Sequence, residues 1–94
     1  MGKILVDYNG KEIRSGMIAK KEDLVNKTNS YYLYEELPDN QGMLYIYGPN
    51  GSIDKKDPFN NIHFDAGVSL YNNADTKRWI CVGPAETYHK EIFN

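Results

Sequence analysis

Residues 31–48, "YYLYEELPDNQGMLYIYG", decide how this chain folds. They hold five of its eight tyrosines, in two runs that flank a Pro-Asp-Asn-Gln-Gly break. Aromatic residues suit a pleated, half-buried surface, and Pro, Asp, Asn and Gly mark a turn. The stretch predicts an antiparallel hairpin, 31–37 with 43–48. Its register matters most, because a one-residue slip sends every side chain to the opposite face. A four-residue loop, 38–41, pairs Tyr34 with Tyr45, Tyr32 with Tyr47 and Leu33 with Ile46. Leu33, Leu44 and Ile46 then share one face, with Tyr31 and Leu37 at its margin. Tyr32, Tyr34, Tyr45 and Tyr47 share the other, with Met43. A loop one residue longer mixes the two sets, so the four-residue loop is the reading that keeps the faces distinct.

Strand patterns continue on both sides. Residues 3–8 alternate, and Asn9-Gly10 is a two-residue hairpin signal, because both central positions of such a turn favour positive φ. That turn places Val6 opposite Ile13 and Tyr8 opposite Lys11, with Ile4 and Val6 on one face. Residues 17–29 are ambiguous: Ile18, Leu24 and Val25 are candidates for burial, and a short helical turn over 20–26 competes with a strand. "GPNGS", 48–52, is a turn. Residues 61–71 alternate cleanly, with Ile62, Phe64, Ala66, Val68 and Leu70 on one side and His63, Asp65, Gly67, Ser69 and Tyr71 on the other. "NNADT" turns the chain into a strand over 77–82. Pro84 suits the start of a helix, with Ala85, Tyr88 and Ile92 on one side, and a final strand is the rival.

Tight turns between strands imply an antiparallel meander. The expected fold is α+β and mainly β: one domain over 1–94, five to six strands as a twisted sheet or small open barrel, and one short C-terminal helix.

Composition removes several function classes. Apolar residues make up 40% of the chain and net charge is −2, which is ordinary for a folded soluble domain and not for a disordered one. Eleven basic against thirteen acidic residues give no cationic excess for phosphate binding, which argues against nucleic acid. No stretch reaches the roughly 18 apolar residues of a membrane span. The N-terminal stretch lacks a signal-peptide pattern, and Val6 breaks the myristoylation motif after Met1-Gly2. With one cysteine, Cys81, neither an internal disulfide nor a cysteine zinc site can form, and a cytoplasmic location is expected. Nine lysines against two arginines, with ten asparagines, fit an AT-rich bacterial or phage gene.

Chemistry-bearing residues are few. The tyrosine face has two readings: a structural cover for the sheet, or a recognition surface, since tyrosine offers large contact area and a polar tip. In the second reading Tyr32, Tyr34, Tyr45, Tyr47 and Met43 anchor a protein partner. Glu35, Glu36, Asp39 and Asn40 then form the polar rim. Lys77, Arg78, Trp79 and His63 are an alternative set for a nucleotide-like ligand. His63, Asp65 and His89 are the only residues that suggest a metal-dependent enzyme. "YGPNGS" lacks the lysine of a phosphate loop, and Asp54 with Asp57 lacks the oxygen series of a calcium loop.

No cofactor is implied. The expected function is a non-catalytic protein-binding module, in the style of a stoichiometric phage inhibitor, acting through the tyrosine face. An oligomeric small-ligand binder is the alternative, and an open edge strand would allow self-association.

Overall fold

The computed structural model describes residues 4–93. Lys3 of the first expected strand, Met1-Gly2 and the C-terminal Asn94 lie outside them. Two short strands, β1 (Leu5–Val6) and β2 (Glu12–Ile13), form a hairpin. β3 (Met17–Asp23), β4 (Thr28–Leu37), β5 (Gln41–Ile46) and β6 (Ile62–Phe64) follow as a meander. β7 (Lys77–Pro84) returns to pair with β3, giving an open antiparallel sheet in the order β6-β5-β4-β3-β7. Helix α1 (Ala85–Phe93) closes the chain. No helix among the described residues is long and apolar enough to cross a membrane.

The β4–β5 turn has three residues, Pro38 to Asn40, and not four. Leu37 pairs with Gln41, Tyr34 with Leu44, Leu33 with Tyr45 and Tyr32 with Ile46. Asp39 and Asn40 take φ values of 63° and 60°. These residue types tolerate the left-handed region because their short polar side chains bond locally. The register therefore differs by one from the expected one, and each face receives both tyrosines and aliphatics.

Tyr32, Tyr34, Leu44, Phe64, Ala19, Trp79 and Cys81 share one face and form the main core. Leu5 and Ile13 of the β1–β2 hairpin cover one part of it. The segment from 65 to 76 runs from one edge of the sheet to the other and brings Leu70 onto the same core. The Tyr32 and Trp79 rings meet at 5.2 Å, with the Lys21 ammonium above both. The opposite face carries Ile18, Leu33 and Tyr45, with Tyr31 and Tyr47 beyond them. Here α1 docks. A shift in the β3–β7 register leaves Val82 without a partner, since Ile18 faces Gly83 and Ala19 faces Cys81. Such a bulge bends the strand, and Pro84 then leads straight into the helix. The Tyr88 ring lies on Gly83, where no side chain would fit. Phe93 and His89 pack on Gly51 and on the Tyr47 ring, and Phe93 also meets Tyr31.

Three other expectations are corrected. The first hairpin has a three-residue loop, Tyr8 to Gly10, with Gly10 alone of the Asn-Gly pair at positive φ, 84°. Leu5 thus opposes Ile13, and Ile4 and Val6 face solvent. The cause is Asp7. Its carboxylate accepts the N–H groups of Asn9 (2.9 Å) and Lys11 (2.8 Å), closing a longer loop than two residues allow. Residues 20–23 continue a strand, and the Asp23 carboxylate accepts N–H groups from Val25 and Asn26, which turns the chain there. Val25 is exposed. The long alternation at 61–71 yields only a three-residue strand. Gly67 turns the chain at φ 85°, and Ala66 and Val68 are exposed.

β7 is an edge strand, and most of its outward backbone groups are bonded. Asn73 pairs with Lys77 through both backbone groups. Trp79 donates its N–H to Asn72 Oδ1 (2.6 Å), and its carbonyl accepts the N–H of Tyr8 (2.7 Å). The Cys81 N–H is held by Asp7 Oδ2 at 2.8 Å. Capped edges resist pairing with another chain, and the other edge, β6, is only three residues long.

Two substitutions test this packing. Asp7→Ala strands three backbone donors and should cost about 3 kcal/mol in urea denaturation. Gly42 faces the Tyr34 ring, whose atoms would lie 2.6–3.0 Å from an added Cβ. Relieving a strand glycine normally stabilises by about 0.5–1 kcal/mol, but the locked ring should reverse the sign and make Gly42→Ala destabilising by about 1–3 kcal/mol. A stabilised Gly42→Ala would mean the ring is elsewhere.

Candidate functional site

The residues expected to form a tyrosine docking face do not form one. Tyr32 and Tyr34 are sealed in the main core, and Tyr45 is buried on the other face, beneath Lys55, whose ammonium lies 5.3 Å from its ring. Tyr47 is half-buried against His89 and Phe93. Met43 is half-buried on the Tyr45 side of β5, across from His63. Glu36 turns to the β2–β3 corner. It pairs with Arg14 at 2.9 Å, and its Oε2 accepts the Ser15 N–H at 3.0 Å. Asp39 and Asn40 are exposed on the turn, and Glu35 pairs with Lys55. The physical reason is the shorter turn, which rotates alternate rings into opposite layers.

The nucleotide-like set is dispersed as well. Trp79 is in the core, while Arg78 points to the opposite face and meets Glu22 at 3.3 Å. Lys77 is half-buried at the start of β7. His63 is on β6, at the far edge of the sheet. His63 Nδ1 lies 3.6 Å from Asp65, and its Nε2 is 3.0 Å from Gln41 Oε1. His89 belongs to the cluster around Phe93. No group of three His, Cys, Asp or Glu side chains able to hold a metal occurs among the described residues.

Burial pushes the Cys81 thiol up, and its sulfur lies 3.8 Å from Met17 Sδ, so it packs as a small hydrophobe. One surface hollow, about 340 Å³, is lined by Tyr47, Ser52, Ile53, Asp54 and Asp57. Its two carboxylates are engaged by their own loop, through the N–H groups of Lys56, Phe59 and Asn60. Another, about 500 Å³, lies between Ser15, Met17, Pro84 and Glu86.

The groups that do face water lie elsewhere. Large hydrophobic side chains are exposed at Ile4, Val6, Tyr8, Val25, Phe59, Val68 and Tyr71. Five of these seven belong to the two segments that cover the main core: Ile4, Val6 and Tyr8 on the hairpin, Val68 and Tyr71 on the crossing segment. Tyr8 and the segment that carries Tyr71 both reach the edge of β7, where residues 8 and 72 bond the two backbone groups of Trp79. Both rings are held in place. The Arg78 guanidinium lies 5.6 Å over the Tyr8 ring, and Asn73 Nδ2 donates to the Tyr71 hydroxyl at 3.2 Å. The two remaining residues, Val25 and Phe59, occupy the same place in two copies of one turn. Asp23 binds Asn26 as Asp57 binds Asn60, through backbone and side chain, and the residue before each Asn is lifted into solvent. "DLVN" and "DPFN" were the sequence signal for it.

No family model matches the chain, and neither a curated protein nor a solved structure matches it.

Burial raises Tyr34 to about 12, and Glu36 adds to the effect. Tyr47 is raised too, also by burial. The folded state thus keeps protons that the unfolded chain releases near pH 10. Stability should be complete below pH 10 and fall as pH climbs towards 12. Urea midpoints followed by circular dichroism should show the fall, and Tyr34→Phe should flatten it. An equal fall in Tyr34→Phe would contradict burial of that hydroxyl.

Proposed function

We propose that this chain is a non-catalytic protein-binding module that acts on its partner stoichiometrically, docking through the outer surface of the layer over its main core. The observation that carries the reading is the exposure of Ile4, Val6, Tyr8, Val68 and Tyr71 on the two segments that cover the main core. Strand alternation explains how they get there: Leu5 and Ile13 go in, so Ile4 and Val6 go out. Nothing in the fold requires those outward residues to be apolar. Exposed apolar area of several hundred Å² on a small protein usually marks an interaction site. Tyrosine and arginine are enriched where proteins meet, and Tyr8, Tyr71 and Arg78 supply both. Their rings are already ordered, so less freedom is lost on docking.

The capped β7 edge favours contact through side chains over strand addition. The partner fitting this surface is a protein with a complementary apolar patch.

The test uses the folded chain as bait in lysate of its native host, beside a Tyr8→Ser/Tyr71→Ser variant. Both positions are exposed, so the variant should fold with an unchanged spectrum. The wild type should retain a partner that the variant loses by at least about tenfold. Equal retention removes this surface from the account. A wild-type bait that holds nothing above a scrambled-surface control removes the binding function.

A further inference from the structure

We infer that Asn50 is a self-converting site: its side-chain amide is lost to ring closure by the Gly51 nitrogen, and the product loosens the seat of α1. The chain has two Asn-Gly pairs, at 9–10 and at 50–51. Glycine after asparagine lets the backbone nitrogen turn onto the side-chain carbonyl, because no Cβ restricts it. The Gly51 nitrogen gives up its proton and attacks Asn50 Cγ. The N–Cγ bond forms, the Cγ–Nδ2 bond breaks, and the amide leaves as ammonia after taking up a proton. Water, the only other reactant, then opens the five-membered imide at either carbonyl. One opening leaves aspartate. The other leaves isoaspartate, whose main chain runs through the side-chain carbon.

The fold treats the two pairs differently. The Asn50 side-chain oxygen, which carries the negative charge when the nitrogen adds, already accepts two donors. These are the Ser52 hydroxyl at 2.6 Å and the Ser52 N–H at 3.2 Å. Donors aimed at an oxygen where charge develops favour the addition. No donor meets the Asn9 side-chain oxygen among the described residues. Asp7 instead holds that loop by its backbone. Its carboxylate accepts the N–H groups of Asn9 and Lys11, and its carbonyl accepts the Gly10 N–H at 3.1 Å. Asp7 is buried and also holds the Cys81 N–H, so opening the loop disturbs the cover of the main core. The Gly51 N–H is held only by the Gly48 carbonyl, at 3.0 Å, in a turn whose Pro49, Asn50 and Ser52 are exposed. Exposed backbone bonds of this kind open at small cost.

The consequence follows from what rests on Gly51. A Cβ there would lie 2.9 Å from Phe93 and 3.0 Å from His89 Cε1, so α1 sits directly on this residue. Isoaspartate adds one carbon to the main chain inside a turn that the Gly48 N–H closes on the Ser52 carbonyl at 2.7 Å. The turn cannot keep both of its ends and the position of Gly51. Phe93 and His89 then lose the surface beneath them. α1 has no fully buried side chain, and its other glycine seat is Tyr88 on Gly83.

The test ages the purified full chain in mildly alkaline buffer. Peptide mass spectrometry with isoaspartyl methyltransferase labelling then measures conversion at each pair. In the folded protein position 50 should convert at least about fivefold faster than position 9, and in urea the two rates should be similar. Ser52→Ala should slow conversion at 50 by about fivefold, and Ser52→Thr, which keeps the hydroxyl, should restore it. Hydrogen exchange of the aged wild type should show the amides of 86–93 exchanging at least about tenfold faster, with β4 and β5 unchanged. An Asn50→Ser chain aged alongside should keep its protection. Equal conversion at 9 and 50 in the folded protein overturns the site. A preference for 50 that persists in urea assigns it to local sequence and overturns the part played by the fold. Ser52→Ala converting at the wild-type rate overturns the role of the donors. Converted protein with undisturbed exchange in α1 overturns the link to the helix.

Discussion

The turn between β4 and β5 is the constraint on which the rest of the structure depends. Three residues link Leu37 to Gln41, and two of them accept the left-handed region. That choice sets which of the five tyrosines in the hairpin point to which side. Tyr32 and Tyr34 enter the main core beside Leu44, while Tyr31, Tyr45 and Tyr47 go to the opposite layer with Leu33. A tyrosine carries enough apolar area to fill a core if its hydroxyl can be accommodated. This sheet therefore has two apolar faces, and each needs a cover.

Both covers follow. The first hairpin and the segment after β6 close the main core with Leu5, Ile13 and Leu70. The C-terminal helix closes the other face with Tyr88, His89 and Phe93, seated on glycines because a side chain there would occupy the ring's place. Asp7 is the joint between cover and sheet. Its carboxylate closes the hairpin loop and holds the Cys81 N–H across 74 residues of sequence. A helix of nine residues has little stability alone, and α1 has no fully buried side chain. It should be the first element to open, ahead of the strands beneath it.

What could be read in the sequence was what neighbours in sequence decide. The Gly48–Ser52 turn closes as expected, with the Gly51 N–H on the Gly48 carbonyl. The 77–82 alternation puts Trp79 and Cys81 together on a strand, and the chain turns helical after Pro84. The mainly β, antiparallel fold with one short helix was legible from these signals. Register was not, because it depended on counting tyrosine as a surface residue when it fills the core. At Asn9-Gly10, a side chain two residues earlier in the chain overruled the dipeptide. At 61–71, the alternation was real in the letters, but Gly67 ended the strand before it could be used. The pairing of the first hairpin was missed in the same way: the expected register put Val6 opposite Ile13, where the structure puts Leu5.

The aromatic concentration at 31–48 is thus an account of how a small chain fills two layers. The most direct test is the β4–β5 register, measured by nuclear Overhauser contacts across the two strands in the free protein. This account predicts contacts from Tyr34 to Leu44 and from Tyr32 to Ile46. Contacts from Tyr34 to Tyr45 and from Tyr32 to Tyr47 as direct cross-strand pairs would contradict it, and would return the phenolic rings to one shared face.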